Sequence, residues 1–411
     1  MTIKSRFLVS AATVASFAVV GVVILHLTHA ATPFLTAEPE SGSLTGSATV
    51  VNDATASGSK AVNFAGSGTS TGTRNPLQQP FASTSIWNMP IGSGAQYVDA
   101  GLSSIPGNDV WSPMPQIDDD IIIMKPTAPL TAVKHSSAAW SGADRCPGDS
   151  QTLATVPIPS SFTIPNTRNN NAAAILLADG RTIMQMQPFT RCTAGGVATS
   201  LLTFPNVDLY GDGISGAHGG SDMSAIGGTI RIGELRPGQI GMHHALKVNV
   251  DSETDLYNCS THADCFRWPA LTADSGDTSI YGSANNNQNK AMKMGALLAI
   301  PASVDINAMG LLSEPGKEIA WTLQNYGAYI VDSTGGPAFA IEAENGPDGS
   351  LRQQFQADYG MPFEERVNDA TPWSKDMQKI VAALKVVNNN TATSIGGGGT
   401  PRQPLAPAIA P

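Results

Sequence analysis

Strand-length apolar runs broken by turn residues recur along this chain, and they bound its architecture more tightly than any other feature. Residues 172–177, then Asp179-Gly180, then residues 182–186 read as a hairpin, two apolar runs around a turn dipeptide. Residues 229–235, Pro237-Gly238 and residues 242–250 read the same way, as do residues 326–332, 333–336 and 338–342. Within the second of these, His244, Leu246, Val248 and Val250 share one face by the period of two. His243, Ala245, Lys247 and Asn249 share the other. Two helices stand out. One begins at Glu314-Pro315, with proline in the first turn, and runs to Asn325, where Gly327 can end it. The other spans residues 374–386 with Ser374 as its N-cap. The expectation is a mainly β fold: a β-sandwich or jelly-roll-like single large domain with two or three peripheral helices.

The ends of the chain differ from this body. Lys4 and Arg6 precede an uncharged apolar stretch over residues 7–27, followed by Thr28-His29-Ala30. A basic start, an apolar middle and a small residue at the cut site read as a signal peptide over residues 1–30, with an uncleaved signal anchor as the alternative. Residues 31–73 read as a Ser/Gly-rich stalk, 74–390 as the main β-rich domain and 391–411 as a flexible Gly/Pro tail. Loss of Lys4 and Arg6 would move the formal charge from −10 to −12. That balance argues against nucleic acid, which needs a basic face. The expected location is extracellular or at the cell surface, with membrane contact only through an uncleaved N-terminal segment. Four cysteines allow three pairings. Cys259 with Cys265 closes a short loop and leaves Cys146 with Cys192; this pairing has the best local logic. A zinc site is the weaker alternative, since there is no Cys-x-x-Cys pair and thiols oxidise outside the cell.

The densest polar cluster lies between Gly211 and Lys247. A Gly-rich loop carries Asp212, Ser215, His218, Ser221 and Asp222, and the segment after it carries Arg231, Glu234, His243, His244 and Lys247. Three chemistries fit these residue types. Glu234 with Asp222 or Asp332 would make the carboxylate pair of a glycosidase. His244 or His218 with Tyr326 or Tyr329 would perform β-elimination on a uronic-acid polymer, with Arg231 or Lys247 stabilising the enolate. His218, Asp222 and His243 or His244 would bind a metal, although their spacing matches no strict ligand motif. Each has a structural rival: a Glu234–Arg231 salt bridge, a core His244, packed tyrosines. Trp87, Trp111, Trp140 and Trp268 read as sugar platforms or as core. Asp118-Asp119-Asp120 reads as a solvated acidic turn, with a structural calcium site as the lesser alternative. A serine-hydrolase elbow is absent, because Ile214-Ser215-Gly216 and Gly220-Ser221-Asp222 each lack one of the required glycines.

Two resemblances add to this reading. Ala37-Glu38-Pro39-Glu40-Ser41-Gly42 and Ser57-Gly58-Ser59-Lys60-Ala61-Val62 resemble the opening of carbohydrate-binding modules of families 6 and 35, over about 30 residues that are too few to bury a core. Ser85-Ile86-Trp87-Asn88-Met89-Pro90-Ile91, Gly227-Gly228-Thr229-Ile230-Arg231, His244-Ala245-Leu246 and Gln324-Asn325-Tyr326-Gly327 resemble a family of large secreted bacterial proteins of uncharacterised activity. That likeness implies one domain and no particular reaction. The functional expectation is a carbohydrate-active protein whose partner is a polysaccharide or cell-surface glycan. Glycoside hydrolysis stands first, with lyase chemistry and non-catalytic binding as alternatives. The expected substrate-binding set is Arg231, His218, His243, Lys247 and Trp87, and no cofactor is required.

Overall fold

The structure is a computed structural model that describes residues 48–52, 60–64, 73–102, 115–166, 169–334, 336–364 and 371–409. The expected signal segment, most of the expected stalk and Trp111 lie outside the described residues. The chain divides into two units, residues 1–66 and 67–411. In the first, β1 (Ala48–Asn52) pairs antiparallel with β2 (Lys60–Phe64), Val50 opposite Val62.

The second unit is mainly β. Its strands are β3 (Tyr97–Asp99), β4 (Pro115–Ile123), β5 (Leu130–His135), β6 (Thr152–Pro157), β7 (Ala173–Leu176), β8 (Thr182–Gln187), β9 (Ala198–Ser200), β10 (Leu202–Thr203), β11 (Val207–Asp208), β12 (Ser215–His218), β13 (Leu246–Asp251), β14 (Leu297–Ala299), β15 (Ala328–Thr334), β16 (Phe339–Gly346), β17 (Gly349–Ser350) and β18 (Lys385–Val387). One large mixed sheet runs β10-β8-β7-β4-β16-β13-β15-β14-β18-β3, with β11 on β8 and β17 on β16. A three-stranded sheet, β6-β5-β9, stacks on one end of it. Ile121, Ile123, Ala173, Ile175 and Met186 meet Val133, Val156 and Ala198 in that interlayer core. The Cys146–Cys192 and Cys259–Cys265 disulfides are both formed.

The β7–β8 hairpin forms as expected, Ala173 opposite Met186. The other two expected hairpins do not. The Gly-rich segment before β13 turns away at Gly233 and Leu235, which both have positive φ, and Ile230 bridges Ala343 in parallel instead. β15 and β16 are separated by β13, which runs parallel to β15 and antiparallel to β16. The long-range pairing buries Leu246, Val248 and Val250 in the core, a gain that a tight local hairpin does not offer.

Among the described residues, three helices of two turns or more flank the sheets: α1 (Glu314–Asn325), α2 (Leu351–Tyr359) and α3 (Pro372–Ala383). Ser313 caps α1 by accepting from the Gly316 N–H, and Pro315 lies in its first turn. α3 is capped by Thr371, whose hydroxyl accepts from Ser374 N–H; Ser374 is therefore inside the helix. The expected tail is also tied down. Gly94 N–H donates to Gly398 O at 2.9 Å, and Arg402 donates to the Tyr97 hydroxyl at 2.6 Å. Glycines permit this approach: a Cβ on Gly92 would lie 2.0 Å from the Gly398 carbonyl oxygen. No helix among the described residues is long and apolar enough to cross a membrane.

One face of the central strands is polar, and this positions the site. The register pairs Glu342 with Asp118 and Glu344 with Asp120, so these four carboxylates share a side. Lys247 and Asn249 alternate with the buried Leu246, Val248 and Val250 on β13. A bulge then admits Asp332. Val248 pairs with Ile330 but Asn249 pairs with Asp332, so Val331 is the extra residue.

Candidate active site

A cleft of about 830 Å³ opens on this polar face. Asp118, Asp274 and Asp332 line it, with Asn170, Asn249, Gln187 and the 42% exposed Trp140. Among the described residues, no lysine, arginine or histidine lines it. Asn170 is its centrepiece. Its amide nitrogen donates to Asp118 Oδ2 at 3.1 Å and to Asp332 Oδ2 at 3.0 Å. Its carbonyl accepts from the Trp140 indole N–H at 3.0 Å. Both amide hydrogens and the oxygen are thus used, which fixes the side chain and the two carboxylates on either side of it. Asp118 also accepts from Asn249 at 3.3 Å and from its neighbour Asp119 N–H.

Burial pushes the Asp118 carboxyl up to about 7, with Asp332, Asp120 and Asp119 adding to the rise against the opposing pull of His218. Asp274 is pushed up to about 6, first by burial and then by Asp332, while the Tyr281 hydroxyl donates to it at 2.6 Å. Gly220 lets the loop after β12 close over Asp332: a Cβ there would meet Asp332 Oδ1 at 2.6 Å.

Beneath the cleft lies a fully buried ionic layer. Asp120 receives His218 Nε2 at 2.9 Å, Lys247 Nζ at 2.9 Å and the Thr229 hydroxyl at 2.7 Å. Burial opposes its charge, but Lys247 and His218 hold it below the ordinary carboxylate range. Burial and Lys247 oppose a charged His218, yet Glu342 and Asp120 raise it to about 10. Burial drives Glu342 well upward, and neither of its oxygens has a hydrogen-bond partner. His218 Nδ1 also has none and lies 4.0 Å from Asp332 Oδ2. Asp120, His218 and Glu342 bring ligand atoms within 4.8 Å of one another, a spacing a metal ion could bridge. Lys247 Nζ already supplies a cation at Asp120.

The expected residues do not converge on one place. Asp332 lines the cleft, and His218 and Lys247 lie under it. Glu234 and His244 form a separate pair at 3.1 Å, with Glu234 also accepting from the Arg231 backbone at 2.8 Å. The Arg231 side chain pairs with Glu344 at 2.8 Å rather than with Glu234. The cavity beside Arg231 and His244 is only about 10 Å³, too small for a sugar. Asp222 sits in a left-handed turn, its N–H donating to His218 O. His243 is exposed and packs on Trp321, with ring centroids 5.0 Å apart. Trp87 is core, its indole donating to Gly213 O at 2.7 Å and its ring meeting Tyr329 edge-on. Tyr326 and Tyr329 are buried, and burial raises both phenols.

Asp118-Asp119-Asp120 is the largest departure. It is no turn but the middle of β4, and strand alternation sends Asp119 to the opposite face, where it pairs with Arg352. The three carboxylates therefore cannot converge on one calcium ion. A signal was present, since the acids run directly into Ile121-Ile122-Ile123, a strand run rather than a loop.

The Glu234–His244 pair carries a stability prediction. Burial opposes the charge on His244, but Glu234 raises it above 6.5; that contribution is full below 6.5 and fades as pH rises through the folded value. Burial opposes the charge on Glu234, but His244 lowers it below 4.5; that contribution is full above 4.5 and fades as pH falls through the folded value. The pair therefore stabilises most between 4.5 and 6.5. Glu234→Gln is expected to lower the melting temperature most in that window and least outside it, as read from melts across the pH range.

Comparison of the chain with models of protein families, with curated proteins and with solved structures finds no match.

Proposed function

We propose that this chain is an extracellular glycoside hydrolase that cleaves an uncharged polysaccharide, with Asp118 as general acid and Asp332 as the second carboxylate. The observation that carries the reading is the pair of carboxylates held on either side of one Asn170 amide in an open cleft. Glycoside cleavage needs one carboxylic acid and one carboxylate across the scissile bond. Asp118, pushed up to about 7, still holds a proton near neutral pH. The His218 imidazolium beneath Asp332 places positive charge beside the other member. Trp140 at the rim offers a face on which a sugar ring can stack, and Asn249 and Gln187 offer hydroxyl partners.

The lining favours hydrolysis over elimination. A polyuronate brings a carboxylate on every ring, and three aspartates with no basic side chain among the described lining residues would repel it. The histidine and tyrosines best suited to abstract a proton, His244, Tyr326 and Tyr329, do not line the cleft. The two disulfides fit an oxidising compartment.

The test is a polysaccharide panel: glucans, mannans, xylans, galactans and chitin beside pectate and alginate. New reducing ends from an uncharged glycan support the proposal. Unsaturated uronide absorbance from pectate or alginate would replace it with a lyase, and retention without cleavage would replace it with a binding protein.

A further inference from the structure

We infer that the hydrolysis is retaining and passes through a covalent glycosyl ester on Asp332, an inference that rests on the glycoside-hydrolase reading above. The geometry at Asn170 carries it. One amide nitrogen bonds Asp118 Oδ2 at 3.1 Å and Asp332 Oδ2 at 3.0 Å. Two bonds to one atom hold these oxygens at most about 6 Å apart, and the divergence of the two N–H vectors of a planar amide sets them near about 5 Å. An inverting pair stands roughly 6.5–9.5 Å apart, because a water must fit between one carboxylate and the anomeric carbon. Here the spacing leaves no room for that water. An oxygen of Asp332 would touch the anomeric carbon when Asp118 reaches the glycosidic oxygen.

The clamp is not free to open, since Asn170 Oδ1 is held by Trp140 and Asp118 is held by Asn249 as well. Asp332 Oδ1 accepts from Ser333 N–H at 2.8 Å and Oδ2 from Asn170 at 3.0 Å, so the carboxylate is held at both oxygens. In the first step an Asp332 oxygen bonds to the anomeric carbon as the glycosidic carbon–oxygen bond breaks. The departing electron pair stays on the glycosidic oxygen, which takes the Asp118 proton. In the second step a water gives a proton to the Asp118 carboxylate, its oxygen bonds to the anomeric carbon, and the ester bond breaks to restore the Asp332 carboxylate. The sum is glycoside plus water, with no other reactant.

The experiment uses the unmodified full chain and the glycan cleaved in the panel. Proton NMR of the first-formed reducing end is expected to show the anomer of the bond that was cut, before mutarotation. Inversion would overturn this inference and leave the hydrolase reading standing, whereas cleavage of no panel glycan would overturn the hydrolase reading itself. A second readout locates the ester. The protein is incubated with 2,4-dinitrophenyl 2-deoxy-2-fluoro glucosides, galactosides, mannosides and xylosides, and digested. Tandem mass spectrometry is expected to find one added fluorosugar on Asp332. Labelling of a different carboxylate would overturn the assignment to Asp332.

Discussion

Replacing Asp118 by Asn is expected to lower kcat on the cleaved polysaccharide by about 10³-fold, within the range of roughly 10²–10⁴ that a positioned general acid contributes. The loss has a signature. A 2,4-dinitrophenyl glycoside leaves without protonation, so the same variant is expected to lose far less of its glycosylation rate on that substrate. Asparagine keeps the shape of a protonated aspartic acid, and the Asn170 and Asn249 contacts can re-form. The melting temperature at neutral pH is therefore expected to change little. The wild-type pH profile follows from the same group. Asp118 is active while protonated, so kcat/KM is expected to fall as pH rises through about 7. An Asp118→Asn variant with full activity on the polysaccharide would remove Asp118 from the mechanism.

The largest stability effect is expected at Lys247. Its ammonium is buried, with Asp120 at 2.9 Å and the Ser224 carbonyl at 2.7 Å as partners. Lys247→Met keeps much of the volume and leaves the Asp120 carboxylate in the interior with one cation fewer. Breaking a buried pair in this way costs about 3–5 kcal/mol, because the surviving charge is left uncompensated. Urea unfolding with an unchanged slope and a lower midpoint would register it. Adding Asp120→Asn to Lys247→Met removes the orphaned charge and is expected to recover part of the loss. If the double variant is no more stable than the single, the cost lies elsewhere than in the unpaired carboxylate.

The parts of the fold that the chain announces locally are the parts written in adjacent residues. The β7–β8 hairpin has its turn dipeptide between its two strands, and α1 has Ser313 and Pro315 at its start. The Cys259–Cys265 loop closes over a separation of 6 residues. Strand order in a mixed sheet carries no such local mark. β13 finds its place between β15 and β16 only when the whole sheet assembles, which is why two apparent hairpins were never pairs.

The site suffered from the same limit. Asn170 reaches Asp118 across 52 residues and Asp332 across 162, and neither distance leaves a trace in composition. Asp332 was legible as a carboxylate at the end of an apolar run, and His218 as the histidine of a Gly-rich loop. Their true partners, Asp118 and Asp120, were hidden in an acidic triplet whose charge suggested solvent. Glu234 and His244 drew attention by density, yet they face each other beside a cavity of about 10 Å³.

The bulge at Val331 makes the cleft depend on chain length as much as on chemistry. Strands are read in twos, and this extra residue shifts the phase of everything after it on β15. With the bulge, Asp332 joins Asn249; were Val331 paired in regular register instead, the same aspartate would fall in step with Val250 and point into the apolar core. The second carboxylate is thus specified by a count rather than by a contact. One residue inserted between Val331 and Asp332 would carry the aspartate past Asn249 and into step with Val250 while leaving every polar side chain in the sequence.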